Sequence, residues 1–127
     1  QGRYMSVTVV GIATCGAVQR ARKWLDVHGI EYDWLDLRAT PPEAARIAGW
    51  VQQLGAAPMR NTSGASYRAL GPERSSWSDD QWITAFQADL MLLKRPLVEI
   101  DGAAVTVGFK EAVFSALFDT RDRPVDV

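Results

Sequence analysis

The sequence predicts an α/β domain with a four-stranded mixed sheet in the order βαβ, helical insertion, ββα. Three observations predict it. The β-branched run SVTVVG (residues 6–11) is followed by apolar residues at helical spacing and then by a second short strand, YDWLDL. The middle third has helical patterns, and the last third has two strand-like runs around an Asp-Gly pair. A chain of 127 residues suits one domain.

The first strand–helix–strand unit predicts two parallel strands joined by a right-handed crossover. The helix is expected from Ala17 to the stop at Gly29, and the second strand at residues 32–37. In the middle, TPPE predicts a helix start in which Thr40 caps the helix and Glu43 completes a capping box. That helix is expected to close at Gly55.

Residues 57–76 are rich in turn formers, so a loop with at most one short helical turn is expected. Ser78 with Gln81 predicts a second capping box, and the helix it begins should end by Lys94, before Pro96. The Asp101-Gly102 pair predicts a type I′ hairpin. A last helix is expected at residues 111–118, with these side chains inward: Val113, Phe114, Leu117, Phe118.

These patterns place one domain at residues 5–118, with the insertion at about 38–94. Residues 1–4 are expected to be foreign to the native protein, with Met5 as its start, and residues 119–127 to be a polar tail. No apolar run approaches the ~18 residues of a transmembrane helix, and a cytoplasmic location is expected.

Charge and composition exclude several functions. The formal net charge of −1 gives no general attraction to nucleic acid or to an acidic membrane, so neither is an expected partner. With one cysteine and one histidine, the chain can form neither an internal disulfide nor a His/Cys zinc site, and no bound metal is expected.

The one cysteine, Cys15, lies between the first strand and the first helix. A lone cysteine is most often a small buried residue. At a helix N-terminus, however, unpaired N–H groups and the helix dipole favour a thiolate. Gly16 and Ala17 leave those N–H groups open to an anion. Residue 18 is Val18, so there is no C-x-x-C pair, and an oxidised adduct on Cys15 must be resolved by an external thiol.

Three segments carry a family resemblance: GIATCGAVQRARKWLDVHGIEYDWLDLR, LGAAPMRNTSGASYRALG and LLKRPLVEIDGAAVTVGFK. Together they resemble the arsenate reductase-like family that uses glutathione and glutaredoxin, which also includes the Spx-type regulators. The most similar branch is a poorly characterised bacterial one with an LLNTRGTTWR-like segment. The resemblance covers residues 5–117 and implies a thioredoxin-like fold with a helical insertion.

The resemblance implies roles for individual residues. Cys15 matches the nucleophile, Arg95 an anion-binding arginine, and Pro96 the cis-proline that lies against the cysteine loop. The family uses two further arginines. Arg60 lies within one residue of the first, which the related branch has at the position of Ser63. The second falls near Phe109, where the adjacent Lys110 is a partial substitute without bidentate geometry.

The resemblance also implies a function. By this resemblance, the protein is expected to be a thiol-dependent reductase of an oxyanion or thiol substrate. Glutathione is the expected co-substrate, glutaredoxin or glutathione the expected partner, and no bound cofactor is expected. The imperfect arginine set predicts weak arsenate turnover. The alternative is a non-enzymatic, Spx-like module that binds RNA polymerase. Those regulators often carry C-x-x-C, which this chain lacks. The remaining cations of the first helix, Arg20, Arg22 and Lys23, are interpreted as a solvated face that adds positive potential near the site.

Overall fold

A computed structural model of the chain describes residues 5–118. Its four strands form one sheet in the order β2-β1-β3-β4. The strands are β1 (Val7–Gly11), β2 (Asp33–Asp36), β3 (Leu97–Ile100) and β4 (Ala103–Val107). β1 pairs in parallel with β2 and antiparallel with β3, and β3 pairs antiparallel with β4. The predicted mixed sheet is confirmed. The predictions for residues 1–4 and 119–127 lie outside the described residues.

Five α-helices accompany the described sheet. They are α1 (Gly16–Val27), α2 (Ala44–Leu54), α3 (Ala65–Arg68), α4 (Asp79–Ala88) and α5 (Glu111–Leu117). Short 3-10 turns occupy Ala57–Met59, Pro72–Ser76 and Leu90–Leu92. α2, α3, α4 and the three turns all lie between β2 and β3 in the chain, and they form the helical insertion.

The sheet separates two hydrophobic cores. Alternate residues of β1 point to opposite faces, so Val9 joins α1 and α5 in one core while Val10 joins the insertion in the other. The first core includes Ala21, Leu25, Phe114 and Phe118, and the second includes Ile47, Trp50, Trp82 and Phe86. The insertion therefore covers one whole face of the sheet.

Two local predictions, a helix cap and a hairpin turn, are confirmed. Ser78 and Gln81 form the predicted capping box, since each side chain bonds the other's backbone N–H. Asp101 and Gly102 have φ values of 52° and 83°, the positive pair that a type I′ turn requires. Asp101 also accepts a hydrogen bond from the N–H of Ser6 at 3.0 Å, which ties the hairpin to the start of β1.

The predicted capping box at Thr40 is wrong. α2 begins at Ala44, and its N-cap is Glu43, whose side chain makes no capping bond. The cause lies in the two consecutive prolines between them. Pro42 disfavours the helical conformation at Pro41, so the chain stays extended until after Pro42.

The end of α4 at Ala88 agrees with the expectation that this helix ends by Lys94, and the Asp89 side chain accepts from the N–H of Met91 and caps a new 3-10 turn. Two other expectations are corrected. The segment 57–76 contains α3 and two 3-10 turns rather than at most one turn. Val113 of α5 is 36 % exposed rather than inward, while Phe114 and Phe118 are buried as expected. None of the described helices has the length and apolar character needed to cross a membrane.

Candidate functional site

The sheet brings the sequence-predicted site residues to one of its edges. β1 and β2 end there together, because Gly11 is opposite Asp36. β3 begins there, since Val10 is opposite Leu97, and β4 ends there, since Val107 is also opposite Leu97. We call this the Cys15 edge. Three segments meet at this edge. Cys15 follows β1, the Arg95–Pro96 pair precedes β3, and Lys110 follows β4.

Cys15 is the N-cap residue of α1. A tight turn after β1 is closed by a hydrogen bond of 3.0 Å from the Cys15 N–H to the carbonyl of Ile12. The Cys15 carbonyl accepts the first helical bond, from the N–H of Gln19 at 3.0 Å. The Gln19 amide in turn donates to the carbonyl of Ala13 at 3.0 Å. The thiol is half-buried against the core under the insertion and makes no capping hydrogen bond.

The N–H groups of Gly16 and Ala17 precede the first helical hydrogen bond. Within residues 5–118 neither has an acceptor. Gly16 is exposed, and a Cβ at this position would lie 3.3 Å from Nη1 of Arg20, one turn along α1. The start of α1 therefore combines two free donors, a thiol and a nearby guanidinium, which is a setting for an anion.

Arg95 lies across the edge from the Cys15 turn. Its peptide bond to Pro96 is cis, and Pro96 is buried. The Nη1 group of Arg95 donates to the carbonyls of Leu93, at 2.8 Å, and Met91, at 3.3 Å. Nε is buried without a hydrogen-bond partner among the described residues. The guanidinium is thus oriented by the turn before β3.

Arg60 comes near Arg95 through its backbone, because it forms a β-bridge with Leu93. Its guanidinium is directed into the insertion. The guanidinium carbon lies 5.0 Å from the centroid of the Trp82 ring, and Nε donates to the carbonyl of Ala57 at 3.3 Å. The structure therefore brings the backbone of Arg60 to the site but packs its charge on an aromatic ring.

Phe109 and Lys110 follow β4 at the Cys15 edge. Phe109 is half-buried, with its ring centroid 4.8 Å from that of Phe114 in an edge-to-face arrangement. Lys110 is exposed and is the N-cap residue of α5. The position at which the family resemblance expects an arginine is thus a ring packed against the core, and the adjacent cation faces solvent.

Two cations near the site were not singled out as site residues from the sequence. Arg20 lies against Gly16, as described above. Lys94 runs along Gly108, where a Cβ would be 3.1 Å from the Lys94 Cε, and Gly108 has φ of 84°. The spacing of Arg20, five residues after Cys15 on one helix, is the signal that could have identified it.

An ion pair between a buried carboxylate and a partly exposed guanidinium also went unpredicted. Glu99 of β3 accepts from Nη2 and Nε of Arg46 at 2.6 and 3.0 Å, and from the indole N–H of Trp50 at 2.6 Å. Burial alone would raise the pKa of Glu99. The hydrogen bonds from Arg46 and Trp50, with the charge of Arg46, outweigh burial and lower this pKa below its usual value of 4.5. This pair joins the insertion to the central strands.

His28 has a packing role, and the interpretation of the α1 cations as a solvated face holds only in part. His28 stacks on Trp24 with ring centroids 3.8 Å apart, and its Nδ1 is 2.8 Å from the Trp24 carbonyl. Arg22 is not merely solvated, since its guanidinium carbon lies 4.2 Å from the Trp34 ring and its Nε donates to the Tyr32 hydroxyl. In the described part of the chain, no three His, Cys, Asp or Glu side chains are grouped to hold a metal ion.

Comparison with known proteins points to one family. The profile described as the ArsC family matches residues 10–117. The uncharacterized protein YusI of Bacillus subtilis is 36 % identical over 114 residues, which are 87 % of this chain and 96 % of that protein. A possible arsenate reductase from Streptococcus mutans is 34 % identical, with a TM-score of 0.77 over 88 % of this chain and 98 % of that one. An arsenate reductase from Vibrio cholerae is 27 % identical, with a TM-score of 0.68 over 80 % and 89 %.

Proposed function

Because the chain belongs to the ArsC family, we propose that it is a thiol-dependent reductase that uses Cys15 as its nucleophile on an oxyanion. The observation that carries the proposal is the Cys15 edge itself. A thiol at the N-cap of α1, two free N–H groups after it, and an arginine, Arg95, in the segment before β3 are the parts such a reaction needs.

The first step is binding of a tetrahedral oxyanion. The N–H groups of Gly16 and Ala17 donate to its oxygens, and Arg95 adds a charge-assisted bond. Arg95 already donates through Nη1 to two carbonyls and its Nε is buried, so Nη2 is the group that remains to face the anion. Lys110 supplies a further charge from the start of α5.

The second step is attack by the Cys15 thiolate on the central atom of the oxyanion. A sulfur bond to that atom forms, and one oxygen leaves as water after taking up two protons from solvent. A glutathione thiolate then attacks the Cys15 sulfur. The electron pair of the bond that breaks stays with the central atom, which is thereby reduced by two electrons, and Cys15 is left as a mixed disulfide with glutathione.

The third step restores the thiol. The chain has no second cysteine, so a thiolate of glutathione or glutaredoxin must attack the mixed disulfide and release Cys15. Arsenate is the oxyanion that the relatives' names suggest. We expect its turnover to be slow, because Phe109 packs on Phe114 where a further arginine would stabilise the charge that develops in the reaction.

A steady-state assay with arsenate, glutathione and glutaredoxin tests the proposal. The expected result is measurable turnover that Cys15→Ser abolishes, with Glu31→Gln as a control that removes an exposed charge before β2, at the end of the strand opposite the Cys15 edge. Turnover that persists in Cys15→Ser would overturn the proposal. So would absence of turnover together with specific capture of RNA polymerase by the wild-type chain, since this would favour the regulatory alternative.

A further inference from the structure

The guanidinium of Arg20 lies over the start of α1. A Cβ built on Gly16 would be 3.3 Å from Nη1 of Arg20, and both residues are exposed. We propose that Arg20 is a second arginine of the anion site, which binds the incoming oxyanion together with Arg95. This inference rests on the proposed function, because it assigns a further residue to the same site.

Arg20 is within reach of an anion bound at the start of α1. Two covalent bonds of about 1.5 Å join a Cβ to the nitrogen of its own residue, so Nη1 of Arg20 is at most about 6 Å from the Gly16 nitrogen. An oxygen that accepts from the Gly16 N–H lies about 3 Å from that nitrogen. The exposed Arg20 side chain can therefore donate to a second oxygen of the same anion by a change of rotamer.

The charges of the reactants give Arg20 a role. An oxyanion of the phosphate type carries about two negative charges at neutral pH, and the attacking thiolate of Cys15 carries one more. Arg95 and Lys110 offset two of these three charges. A third cation beside Gly16 offsets the last one, and it lowers the repulsion between the thiolate and the anion that it attacks.

The charge of Arg20 is not used by another group in the part of the chain that the structure describes. No carboxylate of residues 5–118 forms an ion pair with it, although Glu111 lines the same groove between α1 and α5. Arg22, by contrast, packs on an aromatic ring, since its guanidinium carbon lies 4.2 Å from the centroid of the Trp34 ring. Of the two arginines of α1, Arg20 is therefore the one whose charge is available to an anion.

Titration with sulfate at constant ionic strength, followed by amide NMR, tests the inference without any turnover. In the wild-type chain, sulfate should shift the signals of Gly16 and Ala17. Arg20→Gln should weaken sulfate binding about fivefold, since an exposed charge contact is lost. Arg20→Lys should recover part of the loss, because it keeps the charge without the planar fork. Lys23→Gln is the matched control. It also removes an exposed cation from α1, but about 12 Å along the helix axis from Cys15, and should change the affinity less than twofold.

With arsenate as substrate, Arg20→Gln should raise KM about fivefold and change kcat less than twofold, because the charge of the anion is present before the reaction begins. Equal sulfate affinity of the wild type and Arg20→Gln would overturn the inference and leave the proposed function in place. Equal losses in Arg20→Gln and Lys23→Gln would also overturn it, since only the total charge of α1 would then matter. If sulfate shifts neither Gly16 nor Ala17 in the wild type, the inference and the anion site of the proposed function fail together.

Discussion

The carboxylate of Glu99 and the guanidinium of Arg46 form a two-bond ion pair between β3 and α2, with N–O distances of 2.6 and 3.0 Å. Glu99 is 5 % exposed, whereas 40 % of the Arg46 side chain is exposed. The buried carboxylate of Glu99 therefore needs Arg46 as a partner more than the partly exposed guanidinium of Arg46 needs Glu99.

That asymmetry predicts which of two substitutions lowers the stability of the chain more. Arg46→Met should lower the free energy of unfolding by about 3 kcal/mol, because it leaves a buried carboxylate with Trp50 alone. Glu99→Gln should cost about 1 kcal/mol, because Arg46 then turns to water, which already screens the pair. Chemical denaturation measures both values. The double variant should lose less than the sum, and an equal cost for the two single variants would contradict the unequal dependence.

The same pair predicts a pH dependence of stability. The pKa of Glu99 is lower in the folded chain than its usual 4.5, so the folded state favours the carboxylate. Its contribution is then complete above about pH 4.5 and is lost as the pH falls through the folded-state pKa. The stability difference between wild type and Glu99→Gln should shrink across that acidic window. A difference that stays constant there would show that the carboxylate charge does not contribute.

Gly11 predicts a steric effect at the junction of β1 and α1. A Cβ at Gly11 would lie 2.6 Å from Cγ2 of Val18, which is fully buried and stiff at χ1. Gly11→Ala should therefore cost about 1–3 kcal/mol of stability and displace the Cys15 turn. Gly49→Ala is the matched control. Apart from its chain neighbours and the backbone of its own helix, no atom lies within 4 Å of its added Cβ, so this change in α2 should stabilise by about 0.5–1 kcal/mol. Thermal unfolding of the two variants tests the contrast.

Phe109→Arg predicts a gain of function at a cost in stability. The arginine would add a charge where the oxyanion reacts, so arsenate kcat should rise more than the affinity for arsenate. Loss of the contact with Phe114 should reduce stability by about 1–3 kcal/mol. Steady-state kinetics beside Phe109→Leu, which removes the ring without adding charge, isolates the electrostatic effect. An equal change in kcat for both variants would show that the lost packing, and not the added charge, causes the change.

Local signals accounted for the parts of the fold that the sequence predicted well. The Asp101-Gly102 turn and the Ser78–Gln81 cap depend on residues that are neighbours in the chain, and both formed as predicted. The Thr40 cap does not form because a competing local effect, the restriction that Pro42 imposes on Pro41, prevails. Long-range features were out of reach. The partner of Glu99 is 53 residues away, and nothing in LVEI indicates that its carboxylate points inward.

For the candidate site too, local features could be predicted from the sequence and long-range features could not. The positions of Cys15 and Gly16 at a helix start followed from local spacing, and α1 begins there. The direction of a long side chain did not follow. Arg60 lies over Trp82 and Arg20 lies beside Gly16 because of tertiary packing, which spacing along the chain does not specify.

The central claim, that Cys15 attacks the oxyanion and is resolved by glutathione, is tested most directly by intact-mass spectrometry after a single turnover without glutaredoxin. The account predicts one glutathione per chain, attached at Cys15 and formed in proportion to the arsenate reduced, with no adduct in Cys15→Ser. Arsenate that is reduced without any such adduct, or an adduct that forms equally well without arsenate, would contradict it.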